Sequence, residues 1–95
     1  MTLKKYGLGV ADWEKMLRKQ RFVCAVCREV PESGALQIDH EHVRGFIRMT
    51  AAEKRKYVRG LLCPFCNHYV VGRHKTPDKL EAAAKYLKAY LRRRG

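Results

Sequence analysis

The distribution of apolar residues predicts a helix near each end of the chain. Residues 10–20 carry apolar side chains at helical spacing, which predicts an amphipathic helix. Its apolar positions are Val10, Trp13, Met16 and Leu17. The strongest helical signal covers residues 77–94, where leucines and alanines recur every three or four positions. Thr76 suits the N-cap of this C-terminal helix and Pro77 suits its first position.

Between these helices, two short segments are predicted to pair as a β-hairpin over residues 36–62. The first strand covers residues 36–40, LQIDH, which begin with alternating apolar and polar positions. The second covers residues 58–62, VRGLL. The connection, residues 43–57, is rich in Lys and Arg, and we name it the basic excursion.

Two short helices are predicted beside the strands. Thr50 and Glu53 have the spacing of a capping box, which predicts a helix at residues 51–57. Another is expected at residues 64–70. The aromatic residues are assigned to the core or its cover. These elements predict a small α+β fold, and residues 1–95 are short enough to form a single domain.

The charge balance predicts an anionic partner. Lys and Arg total 21, Asp and Glu total 9, and the formal net charge is +12. Nucleic acid is the first candidate partner and an anionic membrane surface the second. No apolar run approaches the roughly 18 residues of a membrane span. Residues 1–16 lack the apolar segment of a signal peptide, so we expect the chain in the reducing cytoplasm.

Four cysteines occur as two CxxC pairs, Cys24–Cys27 and Cys63–Cys66. Two intervening residues allow a tight turn to direct both sulfurs at one ion, and two such turns make a tetrahedral site. This spacing predicts a structural zinc site. Free core thiols or a disulfide are alternatives, and so is a redox iron site of the rubredoxin type.

The first predicted strand ends in four consecutive titratable residues, Asp39, His40, Glu41 and His42. Hydrolysis of a phosphodiester needs one group that takes a proton from water and another that holds a cation against the phosphate. Histidine suits the first task near neutral pH and a carboxylate suits the second. The alternative is a solvated turn that pairs with nearby arginines.

The sequence contains the motifs YGLGVADWEKMLRKQ, CAVC, IDHEH, VRGLLCPFCN and LEAAAKYL. Together they resemble the recombination endonuclease VII family of HNH nucleases, many of them phage-encoded. The resemblance spans roughly residues 6–88. Three features depart from the family pattern, and one is that His68 follows Asn67 where the junction-resolving member of the family has an acidic residue nearby. Glu41 stands where aspartate is usual, and the basic excursion replaces a short turn.

The resemblance implies a ββα-metal (HNH) domain, stapled by a Cys₄ zinc, that hydrolyses DNA. Asp39 and Asn67 would bind the catalytic divalent cation, Mg²⁺ or Mn²⁺. His40 would be the general base, and His42 would contact the scissile phosphate. The expected reaction is nicking of duplex or branched DNA, with weak sequence specificity, to 5′-phosphate and 3′-hydroxyl ends. If the chain is phage-encoded, the host cytoplasm is the expected location.

Basic residues near this predicted site are expected to contact DNA, with Arg59 the foremost among them. The full set is Arg59, Arg44, Arg48, Lys54, Arg55 and Lys56. Asn67 could instead serve as a turn or cap residue, and His74 and His68 are weaker candidates for the site. Two alternative functions stay open at this point: a dimeric Holliday-junction-resolving endonuclease, and a non-enzymatic zinc-ribbon module that binds nucleic acid.

Overall fold

We describe residues 3–32, 35–72 and 76–94 of a computed structural model of the chain. Its architecture is a small α+β fold around one two-stranded antiparallel sheet, which confirms the predicted class. The strands are β1 (Gln37–His40) and β2 (Val58–Leu62). The α-helices are α1 (Val10–Lys19), α2 (Ala51–Arg55) and α3 (Pro77–Arg94). Two 3₁₀ helices cover Leu3–Tyr6 and Phe46–Arg48, and a π-helix covers Cys66–Val71.

The sheet contains a bulge next to the titratable run. Asp39 pairs with Gly60, but the next residue, His40, pairs with Val58. Arg59 is therefore an extra residue on β2 that has no partner in the ladder. A bulge of this kind bends the strand and redirects side chains. It lets the Arg59 side chain approach Asp39.

The core is small and includes three of the four cysteines. Its buried residues are Leu8, Cys24, Leu36, Ile38, Leu61, Leu62, Cys63 and Cys66. The helix α1 covers this cluster with the half-buried side chains of Trp13, Met16 and Leu17. Since so few apolar side chains are buried, the thiol cluster is part of the core, and any ion that it holds would stabilise the fold directly.

The end of α1 is joined to β2 by the side chain of Gln20. The amide oxygen of Gln20 accepts a hydrogen bond from the Leu61 N–H at 2.9 Å, and its nitrogen donates to the Leu61 carbonyl, also at 2.9 Å. A Cβ atom at Gly60 would lie 3.2 Å from that amide oxygen. Gln20 thus takes the place of a neighbouring strand along the open edge of β2.

The first 3₁₀ helix is held against α2 at a glycine. Gly7 has a φ of +72°, and a Cβ atom there would collide with the carbonyl of Ala51. The Arg55 guanidinium donates to the Gly7 carbonyl at 3.1 Å. Only glycine permits this approach, which fixes the position of Tyr6 beside β1.

The helix α3 is exposed along nearly its whole length. Its apolar residues Leu87 and Leu91 are each 57% exposed, and Tyr86 is 73% exposed. Phe22, Phe65, Tyr69 and Tyr90 are also exposed, so the assignment of all aromatics to the core or its cover is wrong. Within the described ranges, no helix is long and apolar enough to cross a membrane.

Candidate functional site

The two CxxC pairs meet at one point in the fold. The sulfur atoms of Cys24, Cys27, Cys63 and Cys66 all lie within 4.8 Å of one another. The Cys27 and Cys63 sulfurs are 3.9 Å apart. A tetrahedron with Zn–S bonds of about 2.3 Å has S–S edges of about 3.8 Å. No disulfide joins the four cysteines. The cysteines are therefore arranged to hold a metal ion.

Backbone N–H groups support this arrangement in both pairs. The Val26 N–H donates to the Cys24 sulfur at 3.4 Å, and the Cys66 N–H donates to the Cys63 sulfur at the same distance. Arg28 adopts a φ of 66° just after the first pair. The Val26 N–H favours the thiolate form of Cys24.

The thiols differ in their readiness to ionise. Burial alone would raise the pKa of Cys24, but N–H groups of Cys63, Cys27 and Val26 outweigh burial and lower the pKa to about 6. Burial, followed by the neighbouring sulfurs, raises the pKa of Cys66 to about 12. A cation among the sulfurs would favour the thiolate form of all four cysteines, including Cys66, whose pKa is raised.

Asp39 is buried and bonded to Arg59 by two hydrogen bonds. Arg59 Nε donates to Asp39 Oδ2, and Arg59 Nη2 donates to Oδ1, each at 2.8 Å. The Asp39 side chain is 9% exposed and that of Arg59 is 42% exposed. Bonding to Asp39 raises the pKa of Arg59. An arginine partner for the titratable run was one predicted alternative, but the solvated turn that it assumed is wrong for Asp39.

The two histidines of the run lie together on an aromatic cluster. The ring centroids of His40 and His42 are 4.5 Å apart. Phe46 stacks on His40 at 4.8 Å, and Tyr6 meets the same ring edge-on at 5.1 Å. Burial, and then the neighbouring His42, lower the pKa of His40 from its ordinary value of 6.5. The ring is therefore neutral at pH 7, in the form that can accept a proton.

Asn67 lies directly after the fourth cysteine and reaches back to β1. Its N–H donates to the Cys63 carbonyl at 2.9 Å, which sets the turn. Its side-chain nitrogen donates to the Gln37 amide oxygen, also at 2.9 Å. Gln37 and Asp39 are alternate residues of one strand, a separation of about 6.7 Å along the strand.

Three separate contacts thus hold the predicted active-site residues. Asp39 accepts hydrogen bonds from Arg59, and Asn67 donates one to Gln37. The His40 ring packs against the aromatic cluster. Among the residues that the structure describes, no hydrogen bond or ring contact joins Asp39, His40 and Asn67 to one another. Asn67 is far from β1 in the sequence, but the fold brings it to this strand, which carries Asp39 and His40.

The predicted DNA-contacting residues have different surroundings. Arg44, Arg48 and Lys56 are exposed. The Lys54 ammonium lies 5.7 Å from the Phe46 ring centroid, and Arg55 bonds to Gly7. His68 is exposed, with its ring against Tyr69, and His74 lies outside the described residues.

Comparison with known proteins places this arrangement in a family. The family model described as recombination endonuclease VII matches residues 1–89. The chain belongs to the recombination endonuclease VII family. It is also similar to the Gene 59 protein of Mycobacterium phage D29, with 28% identity over 88 residues. That match covers 90% of this chain and 47% of the phage protein, so the chain spans about half its relative's length. No solved structure matches the chain significantly.

The match to the recombination endonuclease VII family confirms the resemblance drawn from the motifs. It contains all four cysteines and every residue predicted for the active site. Sequence reasoning did not identify Gln20, and it did not foresee that Phe46 would stack on His40. Only the capping-box signal at Thr50 indicated that the excursion is structured, and that capping box is present.

Proposed function

We propose that the chain is a divalent-cation-dependent HNH endonuclease that nicks DNA. The observation that carries the proposal is the family match over residues 1–89, which includes the Asp39–His42 run and Asn67. The net charge of +12 supports a polyanionic substrate. The sequence contains no recognisable module that reads base edges in a DNA groove, so we expect weak sequence specificity.

The donor atoms fit two different metals. Four thiolates form a soft, closed set, which suits a structural zinc ion. Asp39 carboxylate oxygens and the Asn67 amide oxygen are hard donors, which suit Mg²⁺ or Mn²⁺. A carboxylate has about four lone-pair sites, and Arg59 uses two of those on Asp39. The hydrogen bond to Gln37 uses the nitrogen of Asn67, not the oxygen.

The proposed mechanism assigns proton transfer to His40. Its neutral ring would take a proton from the attacking water, while Phe46 and Tyr6 hold the ring in place. His42 would contact the scissile phosphate. The divalent cation, when bound, supplies electrostatic stabilisation of the charge on the phosphate and the leaving oxygen. The products would be 5′-phosphate and 3′-hydroxyl ends.

Incubation of supercoiled plasmid with the protein and magnesium is expected to yield open-circular DNA. The amount of nicked plasmid on a gel measures the reaction, and omission of magnesium should prevent it. Omission is preferable to a chelator, which would also remove zinc. A retarded band whose DNA stays covalently closed would contradict the proposal and favour the non-enzymatic nucleic-acid-binding module.

A dimeric junction-resolving endonuclease is the second candidate. The exposed apolar side chains of α3, Tyr86, Leu87 and Leu91, favour it, because such a surface can pair with a second copy. Cleavage of a four-way junction and of a linear duplex with the same arms, together with sedimentation analysis, distinguishes the two candidates.

Replacement of Arg59 by alanine is expected to reveal the cation site at Asp39. The buried carboxylate loses its partner at a cost of about 1–3 kcal/mol, which lowers the melting temperature by roughly 5–15 °C. Magnesium should restore part of this loss, because a cation bound at Asp39 would replace the positive charge that Arg59 supplied. Thermal unfolding with and without magnesium measures both effects.

Two further variants serve as controls for Arg59→Ala. Arg48→Ala removes an exposed arginine and should leave the melting temperature unchanged. The double variant Asp39→Asn, Arg59→Ala should show no response to magnesium. An equal response in the double variant would mean that the cation binds elsewhere.

A further inference from the structure

Ile47 is an unusual residue at the surface of the basic excursion. It is 81% exposed, more than any other large apolar side chain that the structure describes. Exposed arginines, Arg44 and Arg48, lie on either side of it in the sequence. It lines the same pocket as His40 and His42. An exposed isoleucine among cations, beside the proposed catalytic histidine, is suited to contact the apolar part of a bound polyanion.

We propose that Ile47 inserts between adjacent base pairs of bound DNA and makes the enzyme selective for deformable sites. This inference rests on the proposed function and adds to it the side chain that would detect such sites. Apolar side chains that enter a base step partly unstack it and kink the duplex. The flanking arginines would contact phosphates on either side of the step.

Ile47 lies on a short helix that is held in place by packed aromatic rings. Ile47 belongs to the 3₁₀ helix Phe46–Arg48, and its neighbour Phe46 stacks on His40 with an interplanar angle of 24°. Tyr57 packs edge-on against the Phe46 ring at 6.5 Å, and Lys54 lies over it. Because Phe46 is held on several sides, the backbone that carries Ile47 is positioned before DNA binds, which lowers the entropic cost of insertion.

The charge of the surroundings favours nucleic acid as the partner. The excursion and the adjoining β2 contain six cations, which are Arg44, Arg48, Lys54, Lys56, Arg55 and Arg59. The single acid of the excursion, Glu53, is bonded to Thr50 in the capping box. A phosphate backbone matches this surface, and bases are the apolar part of such a partner.

Ile47 also lies close to the proposed catalytic histidine. Because it shares a pocket with His40 and His42, a kink at Ile47 would lie next to the phosphate that is cleaved. Kinking requires least energy at pyrimidine–purine steps and at mismatches. Selection of such sites would therefore need no hydrogen bonds to base edges.

Fluorescence of 2-aminopurine in short duplexes tests the proposal directly, with magnesium omitted so that the DNA stays intact. Binding of the natural protein should raise the fluorescence of the probe several-fold at one step, as the base unstacks. It should also bind a duplex with a central mismatch about tenfold more tightly than a matched duplex, since the mismatch lowers the cost of unstacking.

Three variants determine whether Ile47 is responsible. Ile47→Ala should abolish both the fluorescence change and the preference for the mismatch, whereas Ile47→Leu should keep them. Val30→Ala is the matched control and should behave as the natural protein. Val30 is also β-branched and is 68% exposed, but it lies beside the cysteine cluster. Melting temperatures and zinc contents establish that each variant is folded.

The outcomes separate this inference from the proposed function. A fluorescence change that persists in Ile47→Ala, or that is missing in the natural protein, overturns the insertion. Plasmid nicking in magnesium by the same preparations then shows independently whether the chain is a nuclease. The insertion is also overturned if the Ile47→Ala variant binds all DNA more weakly but keeps the preference for the mismatch.

Discussion

Replacement of Cys24 by serine is expected to unfold the domain, not merely to weaken it. Cys24 is completely buried in the core, and its sulfur is one of the four in the cluster. A serine hydroxyl is a poor ligand for zinc, so three thiolates would remain around the ion. Structural zinc contributes about 10–16 kcal/mol of apparent binding free energy. A small domain is stable by only about 5–15 kcal/mol, so the loss of the ion would remove most or all of this stability.

Circular dichroism, thermal unfolding and zinc content measure this effect together. The matched control is Val26→Ala in the same turn, because this exchange keeps the backbone N–H that donates to the Cys24 sulfur. It should retain zinc and a melting temperature close to that of the natural protein. A Cys24→Ser variant that contains no zinc yet melts cooperatively at the same temperature would show that the thiols stabilise the core without an ion.

The cysteine cluster could be predicted because its geometry is mostly local. Each CxxC turn directs two sulfurs by itself, and the hairpin needs only to bring two turns together. The helices α1 and α2 were also predictable, from apolar periodicity and from the capping box. The predicted α2 extends two residues too far, because Lys56 and Tyr57 turn into β2.

The contacts of Asp39 could not be predicted in the same way. Alternation along β1 assigns each side chain to a face of the sheet, but the pairing of the two strands decides which residue of β2 is extra. That residue is Arg59, and the bulge brings its side chain to Asp39, a contact that the predicted role of Arg59 in binding phosphate did not indicate. The burial of aromatic residues also depends on tertiary packing, and α3 leaves Tyr86 in solvent.

Replacement of His40 by alanine is expected to reduce plasmid nicking by roughly 10²–10⁴-fold, the usual contribution of a general base. Binding to duplex DNA should change little, because His40 adds no net charge at pH 7. Nicking rates at saturating protein and magnesium measure the first effect, and fluorescence anisotropy of labelled DNA measures the second. Zinc content should stay the same, since the ring does not contact the cysteines.

The matched control is His68→Ala, which removes an exposed histidine near the cysteine cluster and should leave nicking unchanged. Loss of the His40 ring also removes a stacking partner of Phe46, so lower activity alone does not distinguish a base from a structural ring. Added imidazole separates these roles. It can enter the space beside Phe46 and accept the proton, so it should restore part of the nicking by His40→Ala and leave His68→Ala unaffected. Full activity of His40→Ala without imidazole would refute the assignment, because another group would then take the proton from water.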